Sequence, residues 1–223
     1  MPYAHIAANV ADVRERIARS CERARRDPAA VTLIAVTKTH APAAIIAAYE
    51  AGVRDFGENR VQEARAKRPA VRDHCPGATW HLIGHLQRNK VPAAVDLFDV
   101  IHSVDSERLA RAISERAMDS VRVYLEVNIS GEPTKHGVAP GDASGVADAI
   151  AGLPNIALVG LMTVTPISAG PETVRPIFRH LRDLRDALGL AELSMGMTDD
   201  FEIAIEEGAT AVRVGRAIFG PRA

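Results

Sequence analysis

The sequence predicts an α/β fold, a (β/α)8 TIM barrel, on three observations. Eight short β-rich runs alternate with helical patterns, the segments between them are too long for hairpins, and 223 residues suit eight such units. Helices between successive strands impose parallel pairing, for which an open doubly wound sheet is the other arrangement.

Residues 1–27, "MPYAHIAANVADVRERIARSCERARRD", set Ile6, Val10, Val13, Ile17 and Cys21 at three- and four-residue intervals. With Asp12, Glu15 and Glu22 among the arginines, this predicts an amphipathic helix and not a signal or transit peptide. The β-rich runs are VTLIAVT (31–37), VRDFG (53–57), TWHLIG (79–84), VIHSV (100–104), RVYLEVNI (122–129), ALVGLMTV (157–164), ELSMGM (192–197) and AVRVG (211–215). Among the helices, "PAAIIAAYEAG" has Pro42 suited to a first turn and Gly52 to a C-terminal cap, and Ser106 is the N-cap of "SERLARAISERAM". The acidic run "DDFEIAIEEG" is a helix between the last two strands, with Asp199 and Asp200 favourably placed at its start. After the eighth run only "RAIFGPRA" remains. That is too short for a full last helix, so the N-terminal helix is expected to cover the gap. No linker or repeat divides the chain, and 1–223 reads as a single domain.

Hydrophobic residues make up 47% and charged residues 25%, and the formal net charge is −1. Basic side chains sit beside acidic ones, so nucleic-acid or membrane attraction is not indicated, and no stretch is long enough to span a bilayer. Cys21 and Cys75 form neither a disulfide framework nor a metal spacing, which suits a reducing cytoplasm. His81 and His85 lack the glutamate of a zinc-protease motif, and Gly215 to Gly220 lacks the lysine and hydroxyl of a phosphate loop. No metal and no nucleotide site are therefore expected. "HLQRNK" reads as a solvated helix start.

Alternation along the strands gives the inward set. Lys38 shares a face with Ile34 and Val36, Arg213 with Ala211 and Gly215, and Glu126 and Asn128 with Arg122 and Tyr124. In such barrels functional groups gather at the carboxyl ends of the strands, and phosphate binds at the loops after strands 7 and 8. An amine stands on strand 1. Opposite it, "SMGMT" (194–198) and "RVGR" (213–216) offer hydroxyl and backbone N–H donors, with Arg213 between. A ligand with an aldehyde at one end, a ring nitrogen in the middle and a phosphate at the other satisfies all three: pyridoxal 5′-phosphate (PLP), held as a Schiff base on Lys38. The residues leave open a cofactor-free Schiff-base aldolase, or a structural lysine with its head in water.

"LIAVTKTH", "DFGENRVQE", "WHLIGHLQRNK", "HSVDS", "EVNISGEPTKHG", "GLMTV" and "SMGMTDDFEIAIEEGATAVRVGRAIFG" together resemble, in order and along almost the whole chain, the pyridoxal phosphate homeostasis proteins. That family is similar to the barrel domain of alanine racemases. The resemblance implies that Lys38 carries PLP, that Arg213 contacts the pyridine nitrogen, and that Gly215 and Arg216 give backbone N–H groups to the phosphate. Ser194 and Thr198 would lie beside the phosphate and Asn59 and His81 around the ring, and Met162, Gly196 and Met197 complete the expected cofactor set. Thr37 and Thr198 stand where many relatives carry serine, and both keep the hydroxyl.

The expected role is holding and releasing PLP, with apo PLP-dependent enzymes as recipients, a monomeric state and no efficient catalysis. The alternative is an amino-acid racemase, which needs an acid or base on each face of the substrate carbon. Alanine racemases take one of theirs, a tyrosine, from an additional domain of the partner subunit. Here Tyr3, Tyr49 and Tyr124 fall away from the expected mouth. An arginine on the pyridine nitrogen also weakens the ring as an electron sink. Lys135 is a candidate second amine that handles PLP in transit, and "TPISAGPETVRP" a mobile cover.

Overall fold

In the computed structural model, which describes residues 3–166 and 169–221, the eight runs are eight strands of one closed parallel barrel. They are β1 (Thr32–Val36), β2 (Asp55–Glu58), β3 (Thr79–Leu82), β4 (Val100–Val104), β5 (Val121–Glu126), β6 (Ile156–Met162), β7 (Glu192–Met197) and β8 (Ala211–Val214). They pair in chain order, and β8 returns to β1 with Ile34 opposite Arg213. The open doubly wound sheet is therefore ruled out.

The helices are α1 (Ala4–Arg23), α2 (Pro42–Glu50), α3 (Val61–Val71), α4 (Val91–Leu97), α5 (Glu107–Arg116), α6 (Ala143–Ala151), α7 (Pro171–Ala187), α8 (Phe201–Glu206) and α9 (Arg216–Phe219). Pro42 opens α2, and the Ser106 hydroxyl accepts from the Leu109 N–H to cap α5. The last helix, α9, is a single turn, and α1 closes the gap beside it: Asn9 Nδ2 donates to the Ile218 carbonyl at 2.8 Å. Ile6, Val10, Val13, Ile17 and Cys21 form the buried stripe of α1. Among the described residues no helix is long and apolar enough to cross a membrane.

Side-chain parity sorts the core into two layers. Val121, Val123, Leu125, Val212 and Val214 face the helices, whereas Val100, Tyr124 and Met162 pack together inside the barrel. A buried aliphatic or aromatic side chain of this kind contributes about 1.5–3 kcal/mol, so most of the stability lies in the outer layer.

Two runs end earlier than their composition suggests. The strand expected over 122–129 stops at Glu126, and Val127 forms an isolated bridge to Val138. The cause is Asn128, whose Oδ1 accepts from the Gly131 N–H and whose Nδ2 donates to the Glu132 carbonyl, diverting the backbone into a turn. Pro171 opens α7, so the second half of "TPISAGPETVRP" is helix, and Ile167 and Ser168 lie outside the described residues.

Candidate functional site

Lys38 follows β1 in a tight turn whose backbone is fixed from several sides. Thr39 takes a left-handed conformation with φ 67°, which a β-branched residue adopts at a cost of about 1–3 kcal/mol. Its N–H donates to Glu63 Oε2 at 2.9 Å, and the His40 N–H donates to the Thr37 carbonyl at 3.0 Å. Lys67 on α3 ties the turn together. Its Nζ donates to the Thr37 carbonyl and Glu58 Oε1, both at 2.8 Å, and to Glu63 Oε2 at 3.3 Å. The Thr37 hydroxyl donates to the same Glu58 oxygen at 2.6 Å. Burial raises the Glu58 carboxyl pKa, and the Lys67 and Thr37 hydrogen bonds oppose that. An ion pair thus holds a strained turn beside the half-buried Lys38.

Lys38 lines a cavity of about 360 Å³ together with Val36, His40, Gly215, Arg216 and Gly220. Strand 1 and the turn after strand 8 thus meet, as the strand-end reading expected. A Cβ at Gly215 would lie 3.4 Å from Val36, so the backbone forms that wall closely. The Arg216 side chain is bound to Asp199 at 2.5 and 2.6 Å and is 61% exposed, which leaves its backbone as its contribution to the cavity. Thr198 is half-buried in the turn after β7. The Met197 N–H is taken by Asp200 Oδ1 at 2.6 Å.

Arg213 is buried inside the barrel. Its Nη1 donates to the Ser194 carbonyl and hydroxyl, at 2.9 and 2.6 Å, and its Nη2 to the Thr163 carbonyl at 2.8 Å. A guanidinium has five donors, so Nε–H and one Nη2–H remain for a further acceptor. Desolvation lowers the Arg213 pKa to about 10, against Asp200, Glu126 and Tyr124, so the group stays cationic at neutral pH. Glu126 lines a second cavity of about 200 Å³ with Asn128, Lys135, His136 and Thr163. Burial pushes its carboxyl up to about 7, with Arg213 opposing and Asp105 reinforcing the shift. Lys135 pairs with Glu132 at 2.7 Å and donates to the Val164 carbonyl at 3.1 Å.

Several expected residues stand elsewhere. Ser194 is fully buried, with its hydroxyl between Arg213 and His102 Nδ1 at 2.8 Å, so it holds Arg213 in place of a phosphate. His81 also lies inside the barrel, bonded to His102 Nε2 at 2.9 Å and Asp55 Oδ1 at 3.0 Å. Met162 belongs to the inner apolar cluster. Gly196, with φ 93°, faces α8: a Cβ there would come within 2.5 Å of Ala204. Asn59 is half-buried, and its carbonyl abuts Gly84, where a Cβ would sit 2.4 Å away. His102 and Asp55 were not among the expected site residues, although strand parity applied to β4 and β2 marks both as inward-facing.

None of the three tyrosines lines either cavity. Tyr49 Oη donates to the Pro76 carbonyl at 2.6 Å on the outside, and Tyr124 stacks on His102 at 4.2 Å and bonds Glu192. Tyr3 precedes α1. The arrangement offers an amine, a buried cation with spare donors, and a backbone-lined wall.

Residues 4–223 match the family model of the alanine racemase N-terminal domain. The chain is 45% identical to the pyridoxal phosphate homeostasis protein of Aquifex aeolicus, over 94% of this chain and 95% of that protein. The solved structure of PipY from Synechococcus elongatus with PLP bound is 38% identical, with a TM-score of 0.84, covering 96% of this chain and all of that one. The alanine racemase of Corynebacterium glutamicum, 20% identical with a TM-score of 0.70, shares the fold across 93% of this chain and 62% of its own.

Proposed function

The chain belongs to the pyridoxal phosphate homeostasis proteins, within the family of the alanine racemase N-terminal domain, and from that premise we propose that it holds PLP at the barrel mouth and delivers it to apo PLP-dependent enzymes. The observation that carries this reading is the cavity that brings Lys38 against the Gly215–Arg216 turn. When bound, PLP supplies an electrophilic aldehyde, a ring nitrogen and a phosphate.

The donors fit each of these. Lys38 Nζ is the covalent attachment point for the aldehyde carbon. Arg213, fixed by Ser194 and Thr163, presents its remaining N–H donors to the ring nitrogen, and its charge disfavours a proton there. The backbone N–H groups of Gly215 and Arg216, with the Thr198 hydroxyl, are the phosphate donors, since first-turn N–H groups lack partners within their helix. Gly196 and Met197 shape that turn, and Asn59 backs the mouth through Gly84. His81, Ser194 and Met162 serve from beneath the mouth.

The absence of a tyrosine from either cavity supports a holder over the racemase alternative, because no such group stands ready as the second base. The two buried, free cysteines suit the cytoplasm. The test is transfer. PLP-loaded protein mixed with an apo PLP enzyme is expected to restore that enzyme's activity faster than the same amount of free PLP released by dilution. Recovery no faster than free leakage overturns delivery, and steady L- to D-alanine conversion lost on Lys38→Ala establishes the racemase.

A further inference from the structure

Beneath the mouth a continuous hydrogen-bonded chain crosses the barrel interior from Arg213 to Asp55. Its links are Arg213 Nη1 to Ser194 Oγ at 2.6 Å, Ser194 Oγ to His102 Nδ1 at 2.8 Å, His102 Nε2 to His81 Nδ1 at 2.9 Å, and His81 Nε2 to Asp55 Oδ1 at 3.0 Å. Ser194 and His102 are fully buried, and His81 is 5% exposed. Asp55 opens β2 at the amino-terminal end of the barrel, and its side chain is 26% exposed. The chain therefore joins solvent on one face to the ring-nitrogen partner on the other.

The Asp55 end sets the direction of the bonds. A carboxylate can only accept, so His81 Nε2 donates to it, and with one hydrogen on each ring His81 Nδ1 is bare and accepts from His102 Nε2. His102 Nδ1 is then bare and takes the Ser194 hydroxyl hydrogen, while Arg213, which can only donate, gives to the Ser194 oxygen. Burial, with His81 and Arg213 adding to it, holds His102 in its neutral form, as this pattern requires. A hydroxyl that donates is a better acceptor, so the chain strengthens the hold of Ser194 on Arg213.

The opposite polarity, with His81 Nδ1 donating to His102 Nε2 and His102 Nδ1 to Ser194 Oγ, would leave a bare His81 Nε2 facing the Asp55 carboxylate and the Ser194 hydrogen without an acceptor in the chain. The other charged and titratable groups near the pair are Tyr124 and Arg122 on β5, Glu192 on β7 and Arg213 on β8, while β1 and β6 present Ile34 and Met162.

We propose that His102 and His81 are positioning residues for Arg213: the chain to Asp55 fixes the guanidinium against the ring nitrogen of the bound cofactor. This rests on the PLP reading above.

Imidazole nitrogen NMR of the cofactor-free protein reads the chain without PLP. At neutral pH, His102 is expected to carry its hydrogen on Nε2 with Nδ1 bare; a hydrogen on Nδ1 overturns the proposal. In the loaded protein, His102→Phe, which breaks the chain at its centre, should shift the visible band and weaken PLP binding about tenfold, and Asp55→Asn, which keeps an acceptor but removes the charge, should move both in the same direction by less. Wild-type curves in both variants sink the idea. If the cofactor-free protein shows the chain while no visible band forms with PLP, the PLP reading fails, and the positioning role falls with it.

Discussion

Lys38 owes its direction to the residues on either side of it in sequence. Thr39 is held at φ 67° by Glu63, and Thr37 by Lys67 and Glu58, so the turn is over-determined and the lysine head is delivered to the cavity wall formed by Gly215 and Arg216. Replacing Lys38 with alanine removes the attachment atom but none of these clamps. The expected outcome is loss of the visible band on PLP addition, with the urea unfolding free energy unchanged within about 1 kcal/mol. Absorption spectra and urea titration of the same sample check both parts, and a persistent band overturns the attachment site.

The elements were legible because parallel strands alternate in a two-residue period that sequence displays directly. Glu126 and Arg213 could be placed inside from parity alone, and α1 from its apolar stripe, whereas Lys38 lies in the turn beyond the end of β1. The chain from Asp55 to Ser194 was not legible, since VIHSV reads as a uniformly buried strand and hydrogen-bond partners on β2, β3, β4 and β7 share no sequence neighbourhood. The ends of β5 and of the loop after β6 were also missed, because Asn128 and Pro171 each override a run of strand-like or loop-like composition. Gly160 shows the same limit at the β6–β7 ladder: a Cβ there would lie 2.1 Å from the Glu192 carbonyl oxygen, a backbone atom that cannot step aside. Gly160→Ala is therefore expected to cost about 1–3 kcal/mol or more by urea denaturation. Because Glu192 also binds Tyr124 under His102, the variant should perturb the His102 imidazole signals; unchanged stability would contradict the tight approach.

For the whole molecule, buried and clustered carboxyls divide into two groups that act on opposite sides of neutrality. Glu206 and Glu207 join α8 to α1 and α7 through Arg23, Arg175, Arg179 and Arg182 at 2.7–3.2 Å. Burial alone would raise their pKa values, but the arginines outweigh it and both are lowered. Their stabilisation is present above the unfolded carboxyl range and is lost as pH falls below about 4.5. Glu126 is the reverse: burial has raised it to about 7, so its favourable state is the protonated one, fully effective below about pH 4.5 and lost as pH rises through 7. The difference amounts to a penalty on the order of 3 kcal/mol on the alkaline side, and Glu58, also raised by burial, adds to it in the same direction. The cofactor-free protein should consequently be most stable in weakly acidic solution, declining steeply towards pH 3 and gradually from pH 5 to 8. Glu126→Gln removes the ionisation without removing the side chain's volume. Urea midpoints should therefore match wild type at pH 5 and exceed it at pH 8, and equal midpoints at pH 8 would show that Arg213 already neutralises the Glu126 charge.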